Sequence, residues 1–451
     1  MANNKEYDVI VVGGGTAGAI AALASARKGA KTLLVEQCGY LGGMAAIGMT
    51  WGGFFDAEHK QIIKGIPDEL VNKAKAMGGG LGYIHSEGKQ NWISVLATVE
   101  PETYRFLLQQ ELYEAGCDIL LFTELVYVKR NNDKIESIDV ANRIGVSTYT
   151  AKTFVDATGN ADLANLAKAE WETERGHNRQ CITNIFRVSN VDIQALENYM
   201  EKEINDQGVE PWSLKHGAAM RKEFRHWCPW KKDGYDDMPG SFGIYWHGFE
   251  GDIFINCTST DINPLDPLAV SYGDYLLRKE AFKVFGYLKS KVNGFKDSYL
   301  SHIYEIGVRE SRRIIGKYQI TIDDINKSKT YSDVIGYGAY PPDVHTSTGE
   351  VNIISQNDMV SKVYAAYQIP YSALLPKGIS NLIVAGRCIS ATFEAQSALR
   401  GIGPCMVEGE AAGVAAALTS SINKNASELP IKDLQKELQA NNVYLGDDLS
   451  L

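Results

Sequence analysis

Length, composition and charge exclude several classes of protein. The chain has 451 residues, 45% of them hydrophobic and 10% aromatic, as expected of a globular protein with one to three domains rather than of a disordered chain or a fibre. Its 45 Lys and Arg against 55 Asp and Glu give a net charge of −10 without any basic run, so we expect neither nucleic acid nor an anionic membrane surface as a partner.

The seven cysteines are scattered, odd in number and never arranged as Cys-x-x-Cys. A chain of this length needs no disulfide scaffold, so the pattern predicts reduced thiols and a cytoplasmic protein. Cysteine and histidine form no cluster with the spacing of a zinc site, and we expect no metal.

The first predicted element is a βαβ unit within the first forty residues. A β-branched strand over Tyr7–Val12 leads through glycines into an alanine-rich helix over Thr16–Lys28, and a second strand follows over Lys31–Glu36. Residues 9–26 carry no charge and have the length of a short membrane span. The glycines that interrupt them favour a strand, a turn and a helix, so we expect no membrane span.

The next elements alternate between helices and short strands. Helices are predicted around Pro67–Met77 and from Pro101 to about Ala115, followed by a strand over Asp118–Phe122 and a β-meander over Leu125–Val155.

The middle of the chain has a different texture. Between about Gly176 and Asp343 it is rich in tryptophan and tyrosine with irregular loops, which is typical of a separate antiparallel or mixed domain. After it, the pattern of alternating strands and helices is found again, with a strand predicted over Asn381–Ala385 and an alanine- and glycine-rich helix over Cys405–Thr419. The two ends therefore indicate one domain of non-contiguous segments with the middle inserted.

A Gly-x-Gly-x-x-Gly motif follows the first strand and opens the first helix, which is the context required of a dinucleotide-binding turn. Such glycines allow a tight turn, the approach of a pyrophosphate and close packing of helix on strand, while the helix N-terminus supplies partial positive charge. Glu36 ends the second strand, where an acid accepts hydrogen bonds from ribose hydroxyls and argues against the 2′-phosphate of NADP. The binding residues predicted in this turn are Gly13, Gly15, Thr16, Ala17 and Gly18.

Three further segments bear on the choice between FAD and NAD. Leu41-Gly42-Gly43 follows the second strand, Asp156-Ala157-Thr158-Gly159 follows the meander, and the strand after Asn381 ends in Ala385-Gly386-Arg387. Each resembles a later motif of FAD-binding oxidoreductases, and the order of all four motifs along the chain predicts FAD. The predicted contacts come from Gly42, Gly43, Thr158, Gly159, Asp162, Gly386 and Arg387, with the backbone of Leu125 beside the adenine.

With these motifs the sequence resembles the FAD-dependent oxidoreductases of the glutathione-reductase-type flavoprotein superfamily, and more narrowly a bacterial FAD-dependent oxidoreductase family. The narrower resemblance rests on residues 309–316, 342–345 and 369–390. It implies an α/β fold, a Rossmann-like FAD-binding domain of non-contiguous segments with an inserted β-rich (α+β) substrate domain over the isoalloxazine. The expected boundaries are 1–50, 95–175 and 370–425 for the FAD-binding domain, 176–369 with the loops of 51–94 for the substrate or cap domain, and 426–451 for a C-terminal tail.

Two departures from the wider superfamily bear on the electron partner. Where disulfide reductases carry a redox-active pair of cysteines, this chain has Ala45 and Thr50. A second strand-linked glycine motif, the sign of a built-in NAD(P)H domain, is also missing from the sequence. We therefore expect an external electron donor or acceptor, which binds transiently or belongs to another protein.

The C-terminal helix is predicted to point at the flavin. Gly401-Ile402-Gly403-Pro404 precedes the helix expected from Cys405, and glycines such as Gly403 would let backbone lie close to a planar ring. A helix N-terminus at the N1/O2 edge would stabilise the anionic reduced flavin. A plain junction between loop and helix is the alternative.

Catalytic candidates come from the segments that precede the return to the flavin domain. Hydride transfer from an alcohol or amine needs a base for the leaving proton, and His345 suits that role, with a structural histidine as the alternative. Arg309, Arg312 and Arg313 are expected to form a cationic helix face or turn. We expect Arg312, with Arg309 beside it, to anchor a substrate carboxylate, and pairing with neighbouring acids is the alternative.

Other side chains are weaker candidates. Glu394 and Arg400 lie on the loop expected to cross the flavin and could touch the substrate. The residues 227–230 and 245–247 contain tryptophan and tyrosine, and they either line an aromatic or sugar pocket or pack in a core. Cys38 is expected near the adenosine and is not proposed as a nucleophile or a flavin tether.

Together these features predict a cytoplasmic FAD oxidoreductase that passes a hydride between a small polar organic substrate and the flavin N5. Two alternatives are a fumarate- or alkene-reductase-like flavoenzyme and an electron-transfer flavoprotein subunit fed by a separate partner. The expected partners are the small-molecule substrate and the electron donor or acceptor, and the sequence also allows an oligomer.

Overall fold

The computed structural model describes residues 5–87, 95–174, 179–207, 212–216, 219–223, 228–231, 233–235, 237–240, 242–345, 351–353 and 366–447. Within these residues the helices are α1 (Thr16–Arg27), α2 (Ile66–Ala76), α3 (Pro101–Glu114), α4 (Asp162–Leu166), α5 (Ile193–Gln207), α6 (Pro267–Lys291), α7 (Ile322–Asn326), α8 (Phe393–Leu399), α9 (Ile402–Ile422) and α10 (Ile431–Ala440).

The strands are β1 (Lys5–Val12), β2 (Thr32–Val35), β3 (Gly82–Glu87), β4 (Val95–Thr98), β5 (Asp118–Leu120), β6 (Glu124–Asn131), β7 (Lys134–Asn142), β8 (Gly145–Asp156), β9 (Trp171–Glu172), β10 (Ile185–Ser189), β11 (Trp212–His216), β12 (Ala219–Glu223), β13 (Gly243–Tyr245), β14 (Ile253–Asn256), β15 (Tyr299–Ile303), β16 (Arg313–Ile314), β17 (Val334–Gly338), β18 (Asp343–His345), β19 (Val351–Ile353), β20 (Tyr367–Pro370) and β21 (Leu382–Val384).

A seven-stranded sheet unites the two ends of the chain. Its order is β5-β2-β1-β8-β7-β6, and β21 pairs with the final residues of β8. The pairs of β1 with β2 and β8, of β2 with β5, and of β8 with β21 are parallel, whereas β6, β7 and the start of β8 form the predicted antiparallel meander. The predicted fold class is confirmed, since this sheet is Rossmann-like and further strands, mostly from the middle of the chain, form antiparallel sheets.

The parallel strands place four turns at one edge of this sheet. Val12 is in register with Val35 on β2 and with Asp156 on β8, and Asp156 is in register with Val384 on β21. The four strands therefore end side by side, and the chain leaves each of them at the same edge. In open α/β sheets this edge is where ligands bind.

Helices α1 and α9 pack against each other through small residues. Their facing residues are mostly alanine and glycine, so the two backbones come very close. A Cβ on Gly409 would lie 2.2 Å from the carbonyl oxygen of Ala17, and one on Gly413 would lie 2.1 Å from that of Ala21. Glycine is therefore required at both positions of α9 by packing alone.

A buried carboxyl on α9 makes stability depend on pH. Glu410 is 1% exposed and accepts a hydrogen bond from the backbone N–H of Ile66 at 3.0 Å. Burial raises the pKa of Glu410 to about 8, from an ordinary value near 4.5 that we take for the unfolded chain. Between these two pH values the native state holds a proton that the unfolded chain releases.

We expect this group to lower the free energy of unfolding as the pH rises from about 4.5 to about 8, by at most about 1.4 kcal/mol per pH unit. Glu410→Gln should remove that part of the pH dependence, measured by chemical denaturation at pH 5 and pH 8. The exposed Glu58→Gln serves as control and should keep the wild-type dependence. An unchanged slope in Glu410→Gln would contradict the raised pKa.

The middle of the chain forms its own antiparallel sheet, in the order β13-β14-β10-β15. One face packs on the buried side of α6 in a core that includes Phe186, Val284 and Leu288. Helix α6 begins where the sequence provides a cap, because the Asp266 carboxylate accepts from the backbone N–H groups of the next turn and Pro267 occupies the first helical position. A second antiparallel sheet has the order β12-β11-β3-β4.

Helix α6 corrects the expectation of irregular loops in this region. It spans 25 residues, and α5 adds another 15. Tyr272, Tyr275 and Phe282 of α6 are each more than half exposed. Because apolar residues lie on both its buried and its exposed face, α6 lacks the one-sided pattern from which a helix is predicted.

In the part of the chain that the structure describes, no helix is long and apolar enough to cross a membrane. The same residues contain no group of three or more His, Cys, Asp or Glu side chains that could hold a metal ion.

Candidate functional site

The turn after β1 contains glycines required by packing and one that is left open. Gly13 has a φ of +94°, and a Cβ there would lie 2.5 Å from the carbonyl oxygen of Ala157, so only glycine fits. A Cβ on Gly18 would lie 1.7 Å from the carbonyl oxygen of Gly13, so α1 packs directly against the turn because Gly18 has no side chain. At Gly15 the nearest atom to such a Cβ is the Cα of Gly43 at 4.0 Å. The open space at Gly15, at the N-terminus of α1, fits the approach of a pyrophosphate.

Glu36 ties this turn to the end of β2. Its carboxylate accepts hydrogen bonds from the N–H of Gly14 at 2.5 Å and from the N–H of Cys38 at 2.7 Å. Each oxygen carries one of these bonds and keeps a lone pair that a ribose hydroxyl can use. The N–H of Thr123 donates to the Glu36 carbonyl oxygen at 3.0 Å, so the start of β6, with Leu125, lies beside the same turn. The predicted adenosine contacts are thus neighbours, and their roles are a proposal.

The loop after β2 packs on the first turn. The Thr16 hydroxyl donates to the carbonyl oxygen of Gly42 at 3.1 Å. Gly42 and Gly43 have φ values of +97° and +50°, and a Cβ on Gly43 would lie 3.0 Å from the Cα of Gly15. The two glycine motifs therefore form one continuous wall.

The turn after β21 brings a half-buried cation to the turn after β8. The Arg387 guanidinium donates to Oδ1 of Asn160 and to the hydroxyl of Ser311, both at 2.8 Å. A Cβ on Gly159 would lie 2.9 Å from Nη2 of Arg387. No carboxylate of the described residues forms an ion pair with Arg387, and burial lowers the pKa of its guanidinium. A half-buried cation with neutral partners fits a phosphate of the cofactor.

The turn after β8 is held from inside by Asp156. This buried carboxylate accepts from the N–H and the hydroxyl of Thr158, at 3.0 and 2.7 Å, and from the N–H of Ala164 at 2.8 Å. Burial raises the pKa of Asp156 to about 6. Asp162 opens α4 and forms an ion pair with Arg312 at 2.8 Å.

A cavity joins these four turns to side chains from the middle of the chain. Its lining includes Gly15, Gly43, Gly159 and Gly386, one glycine from each turn. The polar and charged side chains of the lining include Thr50, Thr183, Tyr245, Asn256, Arg309, Tyr340, Asp343, His345, Arg387 and Arg400.

Asp343 organises one end of this cavity. Its Oδ2 lies 3.1 Å from Nε2 of His345, accepts from the Tyr340 hydroxyl at 3.2 Å and lies 3.5 Å from Nη2 of Arg400. Burial, and after it the positive charge of Arg309, lowers the pKa of His345 to about 4, although Asp343 opposes this. His345 is therefore neutral at pH 7, the form of imidazole that can accept a proton.

The structure separates the three arginines that the sequence grouped. Arg309 lines the cavity, whereas Arg312 is not among the lining residues and pairs with Asp162. Arg313 is 2% exposed and pairs with a buried glutamate. The expected cationic helix face or turn is wrong, because residues 308–312 form neither a helix nor a turn, and helical spacing does not apply to them.

Several lining residues had little or no signal in the sequence. Among them Arg400 is only a weak candidate and Asn256 is not a candidate, and Gln180, which contacts the lining without belonging to it, is not a candidate either. The Gln180 amide oxygen accepts from Nη2 of Arg400 at 3.2 Å and from the N–H of His345 at 3.3 Å. These contacts join residues more than 150 positions apart, so no local pattern in the sequence predicts them. Glu394, the other weak candidate, is not among the lining residues.

The aromatic middle region contributes mainly to the core. Trp230 is fully buried and packs edge-on against Phe242 at 5.2 Å between ring centroids. His247 is buried against the carbonyl oxygen of Gly48 at 2.8 Å, and burial lowers its pKa to about 4. Tyr245 lines the cavity, and Trp227 lies outside the described residues.

Cys38 lies next to Glu36 and is a poor nucleophile. Burial and the Glu36 carboxylate raise the pKa of its thiol to about 12. The thiol is therefore protonated at neutral pH.

Helix α9 begins earlier in the chain than predicted, so Gly403 lies within the helix and not in a loop before it. The helix begins at Ile402 with Gly401 as its cap, so Gly403 lies inside the first turn. A Cβ on Gly403 would lie 2.9 Å from Cδ1 of Ile63 and 3.0 Å from the carbonyl oxygen of Gly52. Packing within the protein explains this glycine, whereas Gly401 and Ile402 line the cavity.

Comparisons with known proteins agree with this geometry. A family model described as FAD dependent oxidoreductase matches residues 8–438. The 3-oxosteroid 1-dehydrogenase of Mycolicibacterium smegmatis is 40% identical over 77 residues, a stretch that covers 17% of this chain and only 14% of that relative.

Two solved structures match this chain at low identity, and the first of them shares its fold. A geranylgeranyl bacteriochlorophyll reductase-like protein from Thermoplasma acidophilum matches with a TM-score of 0.50 and 14% identity, covering 97% of this chain and 84% of that chain. The p-nitrophenol 4-monooxygenase PnpA from Pseudomonas putida matches with a TM-score of 0.49 and 8% identity, covering 99% and 91%. The family match over residues 8–438 shows that the chain belongs to the FAD-dependent oxidoreductase family, with FAD as its cofactor.

Proposed function

We propose that this oxidoreductase transfers a hydride between a small polar organic substrate and the flavin N5. The observation that carries the proposal is the cavity itself, in which glycines from all four nucleotide turns face charged side chains from the middle of the chain. When bound, FAD supplies two-electron hydride chemistry. The residues proposed to hold it are Gly13, Gly15, Thr16, Ala17, Gly18, Glu36, Gly42, Gly43, Leu125, Thr158, Gly159, Asp162, Gly386 and Arg387.

His345 is the proposed proton acceptor in the oxidative direction. An alcohol or amine that loses a hydride from carbon must also lose a proton from oxygen or nitrogen, and two electrons leave the substrate with the hydride. His345 is neutral and lines the cavity, and its Nε2 lies 3.1 Å from Asp343, which fixes the ring and stabilises the imidazolium that forms. In the reductive direction the same pair returns the proton.

The electron partner is proposed to be external. Ala45 and Thr50 occupy the positions of the dithiol relay of disulfide reductases, and Thr50 lines the cavity. The two electrons gained from the substrate therefore pass to a separate acceptor, or come from a separate donor in the opposite direction.

Anaerobic titration of the purified flavoprotein with pools of hydroxy acids, sugars and amines tests this function. We expect at least one saturated alcohol or amine to bleach the flavin absorbance. His345→Gln should keep its flavin and slow the bleaching by about 10²- to 10⁴-fold, while the exposed His302→Gln should not change it.

The two alternative functions predict different results in anaerobic flavin titrations. An alkene reductase would instead be oxidised by unsaturated acids after reduction with a viologen. An electron-transfer subunit would be reduced by no metabolite and only by an iron–sulfur partner. Either result would contradict the dehydrogenase proposal.

A further inference from the structure

We propose that the substrate of this cavity is an organic monocarboxylate, held by the guanidinium groups of Arg309 and Arg400. This inference rests on the proposed function, because it names the substrate class of the same site.

Arg309 is a buried cation whose charge is poorly compensated. The residue is 9% exposed, and its guanidinium donates one hydrogen bond, from Nη1 to the carbonyl oxygen of Cys181 at 2.8 Å. Arg309 forms no ion pair with any residue that the structure describes. Burial, and after it the positive charge of Arg400, lowers the pKa of the Arg309 guanidinium to about 10, although the Asp343 carboxylate opposes this. A buried charge without a partner is strongly unfavourable unless a ligand brings the opposite charge.

Arg400 is the second cation at this end of the cavity. Its side chain is 13% exposed, and Nη2 donates to the carbonyl oxygen of Asp343 at 2.5 Å and to the amide oxygen of Gln180 at 3.2 Å. Its Nε is buried and has no hydrogen-bond partner among the residues that the structure describes. The Asp343 carboxylate, 3.5 Å away, is shared with His345 and Tyr340 and is not dedicated to Arg400.

The charge count of the described lining favours a monoanion. Asp343 is its one acid, against Arg309, Arg387 and Arg400. Arg387 contacts Asn160 and approaches Gly159 in the turn after β8, so we assign it to the phosphates of the cofactor. Arg309 and Arg400 against Asp343 then leave one positive charge for the substrate.

Carboxylate chemistry fits the rest of this end of the cavity. A guanidinium presents parallel N–H donors that match the two oxygens of a carboxylate. Elsewhere in the lining of the cavity, Phe242 and Ile402 are apolar and could contact the organic part of the ligand, and Asn256 is neutral and polar. His345 is 3.1 Å from Asp343, so the proposed proton acceptor lies at the same end as the anchor.

The test measures binding to the flavin-loaded protein rather than turnover. The probes are propionate, crotonate, lactate and benzoate, each paired with its amide, together with a phosphate monoester. Dissociation constants come from calorimetry and from the shift of the flavin spectrum. We expect at least one carboxylate to bind at least about tenfold more tightly than its amide, because an amide lacks the negative charge that the arginines need.

Arginine variants locate the binding. Arg309→Met and Arg400→Met should each weaken carboxylate binding by about ten- to a hundredfold with unchanged flavin content, and Arg309→Lys should recover part of the affinity. The exposed Arg278→Met on α6 is the control and should bind as the wild type does. If a methionine variant fails to fold, Arg309→Lys and the comparison of acid with amide still decide.

Three results would overturn the inference. Amides that bind as tightly as their acids would show that the site does not recognise the negative charge of the ligand. A phosphate monoester that binds more tightly than every carboxylate would assign the site to organic phosphates. Loss of flavin in Arg309→Met with unchanged carboxylate affinity would assign the arginine to the cofactor.

The inference and the proposed function fail separately. Carboxylates that bind through both arginines but exchange no electrons with the flavin would contradict hydride transfer alone. A neutral alcohol or amine that reduces the flavin, with no carboxylate bound, would contradict the monocarboxylate alone.

Discussion

Gly15→Asp is expected to give a folded protein that has lost its flavin. The Cβ position at Gly15 has no atom nearer than 4.0 Å and its φ is −72°, so the side chain should be accepted by the polypeptide. The new carboxylate would stand at the N-terminus of α1, where it would meet the pyrophosphate with like charge and fill the space of its approach. Flavin content, measured as the ratio of absorbance at 450 nm to that at 280 nm, should fall by at least about tenfold.

Gly286→Asp provides a control with the same change of charge. Gly286 lies exposed on α6, where a Cβ meets no atom within 4 Å. This variant should retain flavin. Circular dichroism should show native secondary structure in both variants, and a folded Gly15→Asp protein with full flavin content would refute the proposed position of the pyrophosphate.

Gly413→Val is expected to destabilise the protein by about 3 kcal/mol or to prevent folding. The first carbon of the new side chain would lie 2.1 Å from the carbonyl oxygen of Ala21, and that oxygen belongs to the backbone of α1. The two helices would have to separate, which would loosen the packing beneath the nucleotide turn. The denaturation midpoint in urea, compared at constant m-value, measures the effect.

The opposite sign is expected for Gly286→Ala. Its site is helical, exposed and open, so alanine should raise the free energy of unfolding by about 0.5 to 1 kcal/mol. Comparing Gly413→Val with Gly286→Ala therefore distinguishes a glycine that packing requires from one that packing does not require. Equal midpoints for Gly413→Val and the wild type would show that α1 and α9 are less tightly packed than the structure has them.

The nucleotide half of the fold was predictable because its signals are local. The strand Tyr7–Val12, the glycine turn and the helix from Thr16 lie within a few residues of one another, and each follows from a short pattern. The cofactor prediction is confirmed by the family match, and the edge where the four turns meet follows from the parallel order of the strands.

The substrate end was harder to predict because its contacts are distant in sequence. Arg400 meets Asp343 and Gln180 only after the chain has folded, and no spacing rule joins them. The grouping of Arg312 with Arg309 depends on a helix or a turn in this segment, and the segment forms neither. Gly403 was interpreted as a site for the flavin because its packing against Ile63 cannot be read from neighbouring residues.

The parallel pairing of β8 with β21 has a consequence for how the enzyme is made. The first strand of the nucleotide site is complete at Val12, but β21, Arg387 and the start of α9 are synthesised nearly 400 residues later. A chain that is still on the ribosome therefore has the glycine turn after β1 long before it has the last strand of the sheet and the half-buried Arg387. Strands that are so far apart in sequence pair slowly. Until they pair, the edges of the sheet and apolar surface stay exposed. We therefore expect cofactor loading to follow synthesis of the last strand, and we expect bound FAD to stabilise the native state by mass action from that point on.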